Sequence, residues 1–232
     1  MPAQPFSGAL LPLALTVGAF TLAHWINRRS RGHPLANPVL ISVALIILVL
    51  MITRMPYQRY FEGAQFIHFL LGPATVALAV PLFRHLDKVR KSALPILAGV
   101  LAGSATGVLS VVSISAAFGM SDTLTASLAT KSITAPVAMG IAQHIGGIPS
   151  LAAVFAVLTG MTGAAFGPAL LDRLGARESL ERGLAMGTAG HGQGTARILQ
   201  DNEEAGAFSA LAMGLTALIM AMIIPLVASS LL

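Results

Sequence analysis

The feature that most constrains this chain is one lysine in a long apolar run. From Ser92 to Leu171 the only formal charges are Asp122 and Lys131. About 20 apolar residues make a helix long enough to cross a bilayer, so this run can cross more than once. Lys131 follows Asp122 by nine residues. At ~1.5 Å per helical residue that is roughly 13 Å, close to the centre of a ~30 Å hydrocarbon layer. An ammonium there costs at least ~2.5–3.5 kcal/mol unless it is paired or hydrated. Thr130, Ser132 and Thr134 surround it with hydroxyls, and Pro136 breaks helical hydrogen bonding just beyond. Together these residues describe an anion-binding pocket at mid-membrane depth. The competing reading is a lysine that anchors a helix end by reaching the interface along its stem.

Composition places the whole chain in the same solvent. Of 232 residues, 55% are hydrophobic and 10% charged, against about 25% charged in a soluble domain. The chain has no Cys, which excludes disulfides, zinc–thiolate sites and thiol catalysis. The net charge of +5 sits in short loops between apolar runs, where it reads as a topology signal rather than a nucleic-acid surface. Met1–Ser7 lacks the basic start of a cleaved signal peptide, so the first apolar segment is expected to be retained. No loop has the length or apolar content for a core of its own. One integral membrane domain over 1–232 is expected, multi-pass in the cell inner membrane.

Six full spans are predicted: Gly8–Ile26, Leu35–Thr53, Gln65–Phe83, Leu94–Ala117, Pro149–Leu171 and Ala205–Leu231. The second opens at Asn37-Pro38, as an ordinary N-cap would. The third is interrupted at Gly72-Pro73 and again at Pro81. Gly99, Gly103 and Gly107 recur every four residues, and Gly160, Gly163 and Gly167 form a similar face. Such stripes let helices approach closely in lipid.

Basic clusters at 27–33, 84–91 and 172–182 are expected to share the cytoplasmic side. An even number of crossings must then separate 84–91 from 172–182, yet three candidates lie between. The segment 123–143, with its lysine, hydroxyls and proline, is the one expected to enter and leave on the outer side. Irregular backbone at that depth needs a protein or water cover, which again predicts a polar cavity.

A second constellation is Met186-Gly-Thr-Ala-Gly-His-Gly-Gln-Gly-Thr-Ala-Arg197. Its glycine content disfavours a helix interior, so a loop with free backbone N–H groups for an anion is expected. His191 can bond a carboxylate or carry a proton, and Arg197 can grip a carboxylate with two bonds. The plain alternative is a surface loop. If 172–182 is cytoplasmic, this segment enters from inside while 123–143 enters from outside. That is the pattern of inverted-repeat secondary transporters. A weaker echo pairs Thr75 and Ala79 with Thr134 and Ala138. No HExxH, GxSxG or P-loop occurs, no His pair has metal-ligand spacing, and no nucleophile–base pair suggests an enzyme. No cofactor is expected.

Several of these stretches together resemble the LrgB/CidB family: Asn37-Pro-Val-Leu-Ile-Ser42, Leu71-Gly-Pro-Ala-Thr-Val-Ala-Leu-Ala-Val-Pro-Leu82, Lys131-Ser-Ile-Thr-Ala-Pro-Val-Ala138, Gly146-Gly-Ile-Pro-Ser150 and Met186-Gly-Thr-Ala…Gly194-Thr-Ala-Arg197. The resemblance runs from about residue 8 to the end of the chain. It implies a bacterial membrane protein of the antiholin-like or murein-hydrolase-regulator kind. It also implies transport of small 2-oxo or 2-hydroxy monocarboxylates, as in the plastid glycolate/glycerate translocator and in bacterial relatives linked to pyruvate uptake with a small LrgA-like partner. Lys131, Thr134, Pro136, His191, Thr195 and Arg197 match family motif positions. Gly190 and Gly192-Gln193 depart from them, where relatives more often carry Ser and a small-apolar pair, and this leaves the exact substrate open.

The expectation is therefore an all-α polytopic transporter with six full spans, two interrupted segments and an inverted-repeat plan. Lys131 would neutralise a small carboxylate, Ser132 and Thr134 would bind its oxygens, and Pro136 would hold the break open. His191, Thr195 and Arg197 would complete the site. Asn37, Gly72, Pro73, Thr75, Gly192 and Gly194 would shape helix breaks or support it. Protons are the candidate coupling ion, and an LrgA-like small membrane protein, the lipid bilayer and further copies of the chain are the candidate partners. The rival expectation is a regulator of murein hydrolase activity and lysis with no solute of its own.

Overall fold

The structure, a computed structural model, describes residues 7–30 and 36–231. These form helices and no strands, as an all-α membrane protein requires. Five stretches are long and apolar enough to cross a bilayer: Leu10–Arg29, Tyr57–Arg84, Ala93–Ala117, Pro149–Arg173 and Glu203–Leu226. A sixth apolar helix, Pro38–Thr53, has 16 residues, roughly 24 Å at the helical rise. The chain divides into two compact units, Met1–Ala77 and Leu78–Leu232.

The first unit holds α1 (Ser7–Arg29), α2 (Pro38–Thr53), α3 (Tyr57–Phe69) and α4 (Leu71–Ala77). α1 packs on α2 and α3, and Thr16 Oγ1 and Tyr60 Oη share a hydrogen bond of 2.7 Å. Asn37 is the N-cap of α2, its Oδ1 accepting from the Val39 and Leu40 amides. That is sufficient reason for Asn37-Pro38. The helix expected from Gln65 begins earlier, at Tyr57, and is interrupted at Leu70 and Leu78, either side of α4. Arg31–His33 of the first basic cluster lie outside the described residues.

The second unit holds α5 (Ala79–Arg84), α6 (Leu86–Lys91), α7 (Ala93–Ala117), α8 (Asp122–Ala129), α9 (Ala135–His144), α10 (Pro149–Arg173), α11 (Ser179–Asp201) and α12 (Glu203–Leu231). α7, α10 and α12 are the long elements. Between them the chain twice turns back on itself.

The first reversal is α8–α9. α8 stops at Ala129, and α9 starts at Ala135 with Pro136 in its first turn. The end of α9 returns to α8: the Ile148 amide donates to Ser127 Oγ at 2.8 Å, and a Cβ on Gly147 would press on the Ser127 backbone. Both arms therefore open at the end where α7 finishes and α10 begins. This is the re-entrant geometry expected of 123–143.

The second reversal lies inside α11 and differs from the loop expected there. Both arms are helical, and the break is confined to His191, with φ 36 and ψ −126. Gly194 abuts the Met186 carbonyl eight residues earlier, and Met186 shares a cluster with Ile198. A continuous helix would hold positions 186 and 194 about 12 Å apart, so the arms fold against each other. The glycines serve contact rather than looseness. Gly183 and Gly187 lie on the backbone of α12 at Ala205 and Ser209, and Gly190 lies on Gly163 of α10. Close burial outweighs the propensity cost of glycine.

The glycine stripes set the register. Gly99 and Gly103 of α7 face Leu184 and Thr188, so α7 runs alongside the first arm of α11 in the same direction. Gly167 and Gly160 of α10 face Met186 and His191, so α10 runs oppositely. The two hairpins thus enter from opposite ends of the α7–α10 pair. At the end where α11 enters, Arg84 pairs with Glu203, Lys88 with Glu204, and Arg182 with Asp172. The clusters 84–91 and 172–182 accordingly meet at one end.

Gly103→Leu follows as a test of the stripe. A Cβ at Gly103 would come 2.8 Å from Thr188 Cγ2, and a leucine must displace the first arm of α11. Overpacking of this kind costs about 1–3 kcal/mol. A lower melting temperature in detergent is the expected result, and an unchanged one would show that the arm moves freely.

Candidate functional site

The two hairpin tips meet near the middle of α7 and α10. Lys131 and Ser132 form the first tip, with Ser132 Oγ 3.4 Å from the Cβ position of Gly107. His191 forms the second, its Cε1 2.8 Å from the Cβ position of Gly160 and its ring beside the main chain of Lys131 and Ala156. Each tip is a place where two helices end. The last carbonyls of α8 and of the first arm of α11, and the first amides of α9 and of the second arm, lack intrahelical partners there. Thr134 sits at the N-cap of α9 without a side-chain capping bond. Pro136 in the first turn of α9 has no N–H of its own to satisfy there.

A cavity of about 530 Å³ opens beside the first tip. α7 contributes Gly103, Thr106, Gly107 and Ser110, the first tip Lys131 and Ser132, and the first arm of α11 Leu184 and Thr188. Lys131 is half-buried and donates to Ser132 Oγ at 3.2 Å. It has no acidic partner among the described residues. A cation with no acidic partner among the described residues, and hydroxyls around it, can together hold a small anion. Four buried polar atoms near the tips lack a hydrogen-bond partner: Ser104 Oγ, Thr188 Oγ1, His191 Nε2 and Gln193 Oε1. Leaving such a group unpaired costs about 1–3 kcal/mol, which a polar molecule in the cavity would relieve at Thr188, the one of them that lines it.

The other side of the tips is dry. Val108, Ile133, Ala138, Ile141, Ala142, Ala152, Ala156, Met220 and Ile224 form one buried cluster, which packs the α8–α9 hairpin against α10 and α12. The cavity, by contrast, reaches Gly99 and Glu181 toward the end where α11 enters.

The residues expected at the site fare differently. Lys131 and Ser132 line the cavity, and Thr134 and Pro136 start α9 at the same break; His191 lies behind them, its ring beside the Lys131 main chain, and is not part of the cavity wall. Gly192 and Gly194 lie just past the second tip, Gly194 against Met186. Thr195 is one turn further on, buried and bonded to Ser209 Oγ at 2.9 Å, so it ties the second arm to α12. Arg197 is further still and pairs with Asp201 one turn along; it does not line the cavity. Asn37, Gly72 and Pro73 belong to the first unit, Asn37 as a cap and the other two exposed on α4. Thr75 lies in α4 with its side chain outside the described residues. Sequence reasoning missed Thr106, Ser110 and Thr188. The signal for Thr188 was its spacing of three from His191, which puts both at the end of one arm. The signal for Thr106 and Ser110 was their place beside the glycine stripe.

The LrgB-like family matches residues 16–230. The chain is 39% identical over 219 residues to uncharacterized protein YxaC of Bacillus subtilis, covering 94% of this chain and 95% of that one. It is 36% identical over 218 residues to holin-like protein CidB of Staphylococcus aureus, and 35% over 217 residues to that of Staphylococcus epidermidis, with 94% of each chain covered in both cases. No solved structure matches.

Proposed function

This chain belongs to the LrgB-like family, and from that premise we propose that it is a secondary transporter for small monocarboxylates of the pyruvate, lactate, glycolate and glycerate class. The observation that carries this reading is Lys131: a cation with no acidic partner among the described residues, at a helix break, lining a cavity between two hairpins that enter from opposite ends. Transporters with inverted repeats hold substrate at such breaks and expose it to each side in turn. The size supports a small solute, because 530 Å³ holds a three-carbon acid with its water and is modest beside drug-sized sites. Lys131 takes the carboxylate. Ser132 and Thr188 take its oxygens or the 2-substituent. The protein works in the cell inner membrane, its basic end in the cytoplasm, with a small LrgA-like membrane partner.

A second reading has one observation in its favour, the name holin-like borne by two of the relatives. On that reading the protein regulates murein hydrolases and lysis and moves no solute.

Uptake separates the two. Vesicles containing the purified protein, with and without the small partner, are expected to accumulate labelled pyruvate, lactate or glycolate faster than empty vesicles, while retaining a trapped dye. Dye release with no selective uptake of any of the three would favour the holin-like reading.

A further inference from the structure

We propose that His191 is the proton-binding group of the carrier, so that each monocarboxylate enters the site together with a proton on Nε2. The inference rests on the carboxylate reading above and adds the identity of the coupling ion.

Four observations converge on His191. It is 5% exposed, and its Nε2 has no partner among the described residues. It sits at the tip of a hairpin with φ 36, a conformation that non-glycine residues rarely adopt and that persists only where surrounding packing enforces it. A neighbouring tip carries Lys131, whose main chain lies beside the His191 ring.

The charges around His191 decide its behaviour. α7 carries no ionisable side chain along its length. Those of α10 and α12 stand at the basic end, Asp172 and Arg173 on one and Glu203 and Glu204 on the other. α8 has Asp122 at its far start, and α9 has His144 at its far end. α11 itself has Glu181, Arg182, Arg197 and Asp201, all toward the end where it enters. Among the described residues Lys131 is the one ionisable group beside His191. In the empty site an imidazolium would confront an ammonium with no carboxylate to balance either. Arrival of a carboxylate beside Lys131 supplies a negative charge and removes the repulsion. One proton from bulk water then binds Nε2. Anion and proton favour each other's binding by the same factor, as linkage requires. One negative and one positive charge cross together, so the cycle moves no net charge. The strained tip gives this a mechanical role, because the charge change occurs at the residue on which α11 turns back.

The test measures protons taken up on binding. Purified full-length protein in detergent is titrated with pyruvate near neutral pH in two buffers of different ionisation enthalpy. The difference in binding heat gives the proton count. The wild type is expected to take up close to one proton per pyruvate. His191→Asn, a residue that tolerates positive φ and does not titrate, is expected to bind pyruvate more weakly and without proton uptake. A wild type that binds pyruvate with no proton uptake overturns the proposal while leaving the carboxylate reading intact, and so does a His191→Asn protein with an unchanged proton count. If pyruvate, lactate and glycolate all fail to bind the wild type, the carboxylate reading falls and this proposal with it. If the variant does not fold, the wild-type count alone decides.

Discussion

A Lys131→Met protein is expected to fold normally and to lose carboxylate uptake. Its folding follows from the missing partner: no acidic side chain among the described residues pairs with Lys131, so truncation strands no buried carboxylate. Methionine has a similar length and fits a cavity lined mainly by small groups. Removing an intramembrane charge also relieves its desolvation. The loss of uptake follows from the charge-assisted contact, about 1.5–3 kcal/mol, which corresponds to roughly 10- to 150-fold in affinity. Lys131→Arg should restore little. The guanidinium is a wide planar fork with five donors, where the tip offers Ser132 Oγ at 3.2 Å as the present partner of a compact ammonium. A lysine that merely supports the fold predicts the reverse order, with unfolding for Met and normal behaviour for Arg. Vesicle uptake beside the detergent melting temperature distinguishes them.

The largest stability effect is expected at Gly187→Ala. A single methyl there overlaps the Ser209 carbonyl oxygen and comes 2.9 Å from Ala212 Cβ. The obstacle is the backbone of α12, which cannot rotate aside as a side chain can. Relief requires the whole first arm of α11 to lift from α12, at a cost of about 3 kcal/mol. Thr195 and Ser209 would then lose register on the same face, since Ser209 bonds Thr195 across the second arm. The comparison variant is Gly214→Ala, where no atom lies within 4 Å of the added methyl. Melting temperatures well below wild type for the first and near wild type for the second are expected. Equal values would mean that α11 and α12 are not held in contact.

The physical reasons these positions could or could not be read beforehand differ. The long apolar elements were legible because hydropathy over about 20 residues leaves few alternatives. The first tip was legible because a lysine, flanking hydroxyls and a proline are each costly in lipid and coincide only at 130–136. The second tip was half legible. Its glycines point in the sequence to a loop with free backbone N–H groups, whereas Gly183, Gly187 and Gly194 permit backbone contacts between elements far apart in sequence or folded back on themselves. Nothing local distinguishes a glycine that loosens a helix from one that lets a neighbour approach. That the break falls on His191 rather than on a glycine is set by packing from α10 and the first tip. Arg197 was assigned to the site from its chemistry, although Asp201 at i+4 was the nearer partner. The polar wall of α7 is hidden in the sequence because its glycine stripe already accounts for close helix packing. In the structure it does both, meeting Leu184, Thr188 and Ser132 while bordering the cavity.

The central claim is that a small carboxylate occupies the space between Lys131 and α7. Because the chain has no Cys, one can be placed where the claim is most exposed. Ser110 lines the cavity and is half-buried, its hydroxyl donating only to Gly107 O one turn back. In a Ser110→Cys protein the account predicts slow modification by a small thiol reagent and further slowing by saturating pyruvate, lactate or glycolate. The same acids should give no protection once Lys131→Met is added. A rate indifferent to all three acids, or equal protection with and without Lys131, would contradict it.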